Sequence, residues 1–236
     1  MHNIVTVAAK ELRGFFHSPV AYIVLTVFLL TTGWLFFSSF FLIGEASLRN
    51  FFALMPLLLV IFSPAVTMRL VAEEKKSGTL ELLTTMPLKD REIILGKYLA
   101  ASALLVCGLL FTLPYAFSVA SVGVIDFGPV LSGYIGSIAL ILALSAIGLL
   151  ASTLAANQIS ALILALALGF LLYLIGAFTF FLPEGWGQFL EYISLSHHFE
   201  NFTRGIIDTR DLVYYFSIAF LALYLGQMAL KVRRNG

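Results

Sequence analysis

The side chains able to do chemistry are few, and their spacing supports little of it. The chain has 236 residues, with 4 histidines, 1 cysteine and 13 acidic residues. The lone thiol, Cys107, excludes an intramolecular disulfide framework and a cysteine-based zinc site. His197-His198 with Glu200 could suggest a metal site. Adjacent histidines project from different faces of a helix and seldom hold one ion together, so no metal ligand is assigned. Asn201-Phe202-Thr203 matches the glycosylation pattern, which is short enough to arise by chance. Gly96-Lys97 ends like a phosphate loop, but Tyr98 stands where Ser or Thr is needed and the upstream glycine is missing. The chain is therefore expected not to bind ATP by that route, to hold no cofactor and to catalyse no reaction itself.

The elements that must carry these residues are membrane helices. The sequence is 60% hydrophobic and 11% charged, with a mean hydropathy of +0.99. Soluble domains carry about a quarter charged residues and an apolar share just under half. That difference excludes a water-soluble globule, a disordered chain and a nucleic-acid binder; a net charge of +1 leaves no basic footprint for nucleic acid. Long uncharged runs predict six spanning helices, at 20–43, 51–70, 98–125, 131–154, 159–182 and 211–230. Pro56 and Pro64 fall in the second and Pro114 in the third. Residues 127–183 hold no charged side chain, too long a run for one helix across a core about 30 Å thick. The polar pair Asn157-Gln158 divides it. The expected fold is an all-α polytopic membrane protein, with an interface helix at 1–19 and a six-helix domain at 20–236. The first apolar run is too long for a signal-peptide core and lacks a small-residue cleavage site, so it is expected to remain as a span.

An even number of spans puts both termini on one side, and Lys and Arg decide which. Of the 14 basic residues, only Arg49, Arg204 and Arg210 fall on the face that carries Glu45, Asp126, Glu184, Glu191, Glu200, Asp208 and Asp211. The other basic residues cluster before the first span, around residues 69–97 and after the last. Both termini and that loop are expected to be cytoplasmic.

The spans contain no charged residue away from their ends and no histidine. That argues against a proton-coupled carrier and against a membrane enzyme. Small residues recur at helical spacing, Ala161, Ala165 and Gly169 in the fifth span and Gly133 and Ser137 in the fourth. They fit packing within one subunit or a dimer seam. Phe28, Phe36, Phe37, Phe40 and Phe41 in the first span are expected to face lipid; a route for a greasy substrate is the alternative.

Residues 1–19 are amphipathic. Ile4, Val5, Ala8, Leu12, Phe15 and Phe16 fall on one side, and Lys10, Arg13 and His17 on another. This suits a helix lying in the headgroup layer, as an anchor or as a lever at the mouth of a transport path. The segment before the last span is apolar for a loop. Trp186, Phe189, Leu190 and Ile193 fit one helical face, and Phe199, Phe202 and Ile206 another.

Residues 73–97 (EEKKSGTLELLTTMPLKDREIILGK) form the largest polar excursion. Glu73, Glu74, Lys75 and Lys76 continue the second span outward. Gly78 can stop that helix by taking the left-handed conformation. Residues 79–85 make a short helix with Leu80 and Leu83 on one face and Glu81 opposite. Pro87 ends it, and Asp90 can cap the next helix. The apolar side chains either dock on a partner or pack under the loop.

This stretch, Gly78-Thr79-Leu80-Glu81-Leu82-Leu83, then Met86-Pro87, then Glu92-Ile93 with Leu95-Gly96-Lys97, resembles the signature loop of ABC type-2 transporter permeases. The resemblance extends over the whole chain. Ser196-His197-His198-Phe199-Glu200-Asn201-Phe202 and Arg204-Gly205-Ile206-Ile207-Asp208 resemble the gliding-motility-associated and copper-site-maturation subgroups. The resemblance implies that 79–85 is a coupling helix docking on a separate ATPase subunit through Glu73, Glu74, Lys75, Lys76, Gly78, Thr79, Leu80, Glu81, Leu83 and Pro87. It implies Lys10 and Arg13 on the interface helix, and outer-leaflet helices carrying Trp186, Phe189, Phe199 and Phe202 as a lid. It implies two ATPase copies that bind the ATP and Mg, a second permease subunit (the same chain or a homologue), a periplasmic or membrane-anchored auxiliary protein, and surrounding lipid. The location implied is the inner membrane of a bacterium or archaeon. The function implied is ATP-driven export, the alternative being a transducer that passes ATP-driven motion to an envelope partner without transport.

Overall fold

A computed structural model describes residues 2–43, 47–79, 89–123, 126–181 and 184–235. The fold is all-α, and six helical stretches among the described residues are long and apolar enough to cross a membrane. In chain order the helices are α1 (His2–His17), α2 (Pro19–Ile43), α3 (Arg49–Thr67), α4 (Arg69–Ser77), α5 (Asp90–Leu110), α6 (Leu113–Ala120), α7 (Phe127–Leu154), α8 (Gln158–Leu174), a 3-10 segment (Ile175–Phe181), α9 (Glu184–Ile193), α10 (Leu195–Thr203) and α11 (Thr209–Asn235). Together α3 and α4 make the second span, and α5 and α6 the third.

Local chemistry sets the breaks. The Asn157 side chain accepts from the Ser160 N–H at 2.9 Å and starts α8, dividing the uncharged run where expected. The Asp126 carboxylate accepts from the Gly128 N–H at 3.0 Å and starts α7. Pro114 cannot donate to the preceding turn, so the third span breaks at Phe111 and restarts as α6 with proline in its first turn. The fifth span is shorter in α-helix than expected, because it tightens to 3-10 at Ile175. The third begins earlier than 98, at Asp90. The cap there also differs: Asp90 is already helical, and Glu92 reaches back to accept the Lys89 N–H at 3.0 Å.

The bundle is built around α7, the most buried of the spans, which packs against α3, α5, α8, α10 and α11. Bare backbone lets neighbours close in on it. A Cβ on Gly133 would meet the Phe52 ring at 2.5 Å, one on Gly136 would meet Phe202 at 2.5 Å, and one on Gly148 would overlap Thr67. Ala161, Ala165 and Gly169 of α8 are buried within the chain, and a Gly169 Cβ would lie 3.2 Å from Val60. Between the two readings of that small-residue stripe, packing within one subunit accounts for it.

Three expectations about aromatic faces need correction. In α2, Phe28 and Phe36 are core residues; the Phe36 ring stacks on Tyr115 at 5.6 Å and meets Phe51 edge-on. Phe41 alone of that set is strongly exposed, at 79%. In α1 the apolar residues do not share one environment. Val7 and Phe15 are buried against protein, whereas Val5 and Phe16 are exposed. In the outer helices, Phe199 and Phe202 are fully buried while Phe189 is exposed. Phe199 and Phe202 therefore anchor the outer helices to the bundle and do not enter lipid. Phe202→Ala is expected to destabilise the domain by about 3–5 kcal/mol, and Phe189→Ala by under about 0.5 kcal/mol. Thermal unfolding of the two variants in mild detergent would check this.

Candidate functional site

Three charged residues of the motif, Glu74, Glu92 and Lys97, meet α1 or its partners at the basic end of the bundle. The sequence puts glycine at 96, and the reason is distance: a Cβ there would lie 2.6 Å from the Val7 Cβ and 3.1 Å from the Ile4 carbonyl. With no side chain at 96, α1 lies directly on α5. The next residue, Lys97, is then enclosed, at 1% side-chain exposure. Its Nζ donates to Glu11 Oε1 at 3.0 Å and to Glu74 Oε1 at 2.6 Å. One ammonium thus joins three elements: α1 through Glu11, α4 through Glu74, and its own α5. Asn3 adds a bond from α1 to Glu92 on α5 at 3.1 Å.

Arg69 and Lys75 of α4 are bonded within the chain as well. Arg69 donates to Ser18 Oγ at 3.1 Å, lies 3.6 Å from Glu73 and sits 5.1 Å from the Phe15 ring centroid. Lys75 points the opposite way from Glu74 and donates to the Thr153 and Ala155 carbonyls at the end of α7. Those carbonyls are the orphans of a helix C-terminus, where a cation is favoured. Of the four charges at 73–76, Glu74 and Lys75 are therefore spent inside the chain, and Glu73 and Lys76 are exposed.

Between α3 and α4 the helix is interrupted at Met68. Ser152 of α7 enters the gap. Its Oγ accepts from the Val71 and Ala72 N–H groups at 3.0 Å each and lies 3.0 Å from the Met68 carbonyl. A side chain inserted into a helix ladder is a recognised cause of a kink. The break in the second span is thus bridged by a hydroxyl from a different helix. Beyond it, Gly78 ends α4 in the left-handed conformation (φ 73°), as its position predicts, and Ser77 and Thr79 share a 2.8 Å hydroxyl contact. A cavity of about 230 Å³ opens between α1 and α4, with Lys10, Glu11, Arg69, Glu73, Glu74 and Thr79 among its walls. The buried Glu74 Oε2 has no hydrogen-bond partner among the described residues. Leu80, Glu81, Leu83 and Pro87 lie outside the described residues. Lys10 and Arg13 are exposed on α1.

At the opposite end a second polar cluster ties α10 to α11. His198 Nδ1 lies 2.7 Å from Asp211 Oδ1, and its Nε2 lies 3.0 Å from the Tyr192 carbonyl. Asn201 donates to Asp211 Oδ2 at 2.9 Å, and Tyr215 donates to the Leu195 carbonyl at 2.8 Å. His197 turns away to Glu191, 3.1 Å off, on the wall of a cavity of about 330 Å³. The two histidines thus serve separate partners, in line with their expected divergence. The Trp186 side chain lies outside the described residues.

Sequence reasoning missed Glu11, Ser152, Gly148 and the Asp211 partnership. Glu11 left one trace: an acid four residues after Val7 on a face that otherwise packs. Ser152 left none, since a serine in a membrane helix is ordinarily bonded within its own turn.

Among the described residues, neither end brings together a nucleophile paired with a base, or a phosphate cradle. The basic end offers a clamp and a lever. A family model described as ABC-2 family transporter protein matches residues 44–230. No curated protein matches the chain. Lys97→Met leaves two partly buried carboxylates facing each other without their cation, and a loss of about 3 kcal/mol, the low end for a broken buried pair, is expected. Adding Glu11→Gln and Glu74→Gln to that variant should recover most of it. Thermal unfolding of the single and triple variants would decide whether the cluster acts as a charge-balanced unit.

Proposed function

The chain belongs to the ABC-2 family of transporter proteins, and from that premise we propose that it is the membrane subunit of an exporter driven by a separate ABC ATPase. Membership implies a multi-pass permease and an ATPase partner. The finer reading is that residues 79–85 dock on that ATPase as a coupling helix, with Glu73, Lys76 and Gly78 beside it. ATP and Mg are bound by the partner, and this chain hydrolyses nothing. Two permease chains and two ATPases form the unit. Both termini face the cytoplasm of a bacterial or archaeal cell, the membrane being the inner one. Within the family, the 196–208 stretch favours the gliding-motility-associated and copper-site-maturation permeases.

The observation that carries this reading is the Lys97 cluster. It binds α4, the element that leads into residues 79–85, to both the interface helix and the third span. A push on that segment would reach α1, α4 and α5 together. The break at Met68, bridged by Ser152, then passes the motion to α3 and α7. A loop without a mechanical task needs neither connection.

Affinity purification of the chain from its native membranes in mild detergent should bring down a soluble ATPase in equal amount. Glu81→Arg and Leu83→Asp should each abolish that association and leave insertion and folding intact. Unchanged complex formation in both variants would sink the coupling-helix assignment. ATP-dependent substrate turnover in vesicles separates an exporter from a transducer that only moves an envelope partner.

A further inference from the structure

Not every cation at the basic end is neutralised inside the chain. Arg91, in the first turn of α5, and Lys231, near the end of α11, are exposed, and no ion pair among the described residues involves either. Between these helices runs an open groove of about 340 Å³. Arg91 lines it, together with Ile94, Phe220, Leu223, Tyr224 and Gln227. Because α11 runs toward the basic end, Phe220 and Leu223 lie deeper than Tyr224 and Gln227. Lys231 follows Gln227 by four residues and so falls on the same helical face.

We propose that this groove binds one anionic phospholipid from the leaflet at the basic end. Its phosphate pairs with Arg91 and Lys231, and an acyl chain lies along Ile94, Phe220 and Leu223. Three features select that occupant. A guanidinium presents paired donors that match a phosphate. Among the described residues neither cation has an ion-pair partner, and basic pockets between spanning helices at the headgroup level suit acidic lipids. The deep walls are hydrocarbon, and the groove is flanked by the exposed Leu99 and Leu221, so its surroundings are lipid and not water. A soluble anion would leave those walls unfilled. The Tyr224 hydroxyl and the Gln227 amide stand at the level where a glycerol ester needs polar contacts.

The test uses the full chain in nanodiscs of phosphatidylcholine with a minor share of phosphatidylglycerol. After extraction into mild detergent, native mass spectrometry counts the phospholipids retained. One phosphatidylglycerol per chain is expected, kept in preference to phosphatidylcholine. Arg91→Gln and Lys231→Gln should each weaken retention about fivefold, the effect of one surface cation on an acidic lipid. Leu223→Trp, which fills the groove without altering charge, should weaken it as well. Lys10→Gln with Arg13→Gln, at cations outside the groove, should not. Equal loss from the Lys10 and Arg13 changes would reduce the effect to general basic charge and overturn the proposal. So would unchanged retention in both groove-charge variants, or displacement of the lipid by millimolar inorganic phosphate. Dissociation of a dimer by Leu223→Trp with lipid still bound would make the groove a subunit seam instead. Monodisperse elution of each variant establishes that it has folded.

Discussion

A lysine ammonium enclosed at the end of a membrane bundle must have its charge met, and Lys97 has it met by two carboxylates that come from elsewhere in the chain. Leaving an ion unpaired in such a place costs several kcal/mol, while removing the whole cluster costs much less. The cluster therefore works as a constraint on arrangement more than as a source of stability. Once Lys97 is inside, Glu11 must be near it, which fixes the height and rotation of α1. Glu74 must be near it, which fixes α4. Gly96 is the steric condition for both, since a side chain there would separate α1 from α5.

The α4 helix is held from its other side by equally specific bonds. Lys75 meets the carbonyls that end α7, and Ser152 fills the break in the ladder at Met68. At the break the free N–H groups of Val71 and Ala72 are satisfied by Ser152, which bonds α4 directly to α7, the centre of the bundle. The opposite end repeats the scheme with a different pair. His198 and Asp211 are both buried and tie the outer helices to the start of the last span. The middle of the bundle is held mainly by shape, through aromatic rings set against glycines.

Charges at the basic end therefore divide by task. Glu74, Lys75 and Lys97 are occupied within the chain. Glu73 and Lys76 are exposed beside the segment that, on the proposed reading, meets the ATPase. Arg91 lines the groove between α5 and α11, and Lys231 lies one helical turn past Gln227 on α11. The same residue types adjacent in sequence, such as Glu73-Glu74 and Lys75-Lys76, end up with different work because a helix turns by about 100° per residue.

Much of this protein was legible in its sequence because a bilayer imposes one-dimensional rules. Span number follows from the length of uncharged runs, and the all-α class from the need to satisfy the backbone internally. The break at Asn157-Gln158 and the end of α4 at Gly78 were legible for the same reason: each depends on a residue's own backbone or cap chemistry. What only the tertiary structure decided is which faces meet. In a chain that is apolar throughout, hydrophobicity does not separate core from lipid, so Phe36 and Phe41 looked alike, as did Phe189 and Phe202. Partners far apart in sequence were invisible as well. Glu11, Glu74 and Lys97 come together only because α1 lies across α5, and Ser152 reaches Met68 only because Gly148 lets two helices close to contact. Spacing along one helix records that helix's own geometry, and it carries no record of the neighbour that will fill it.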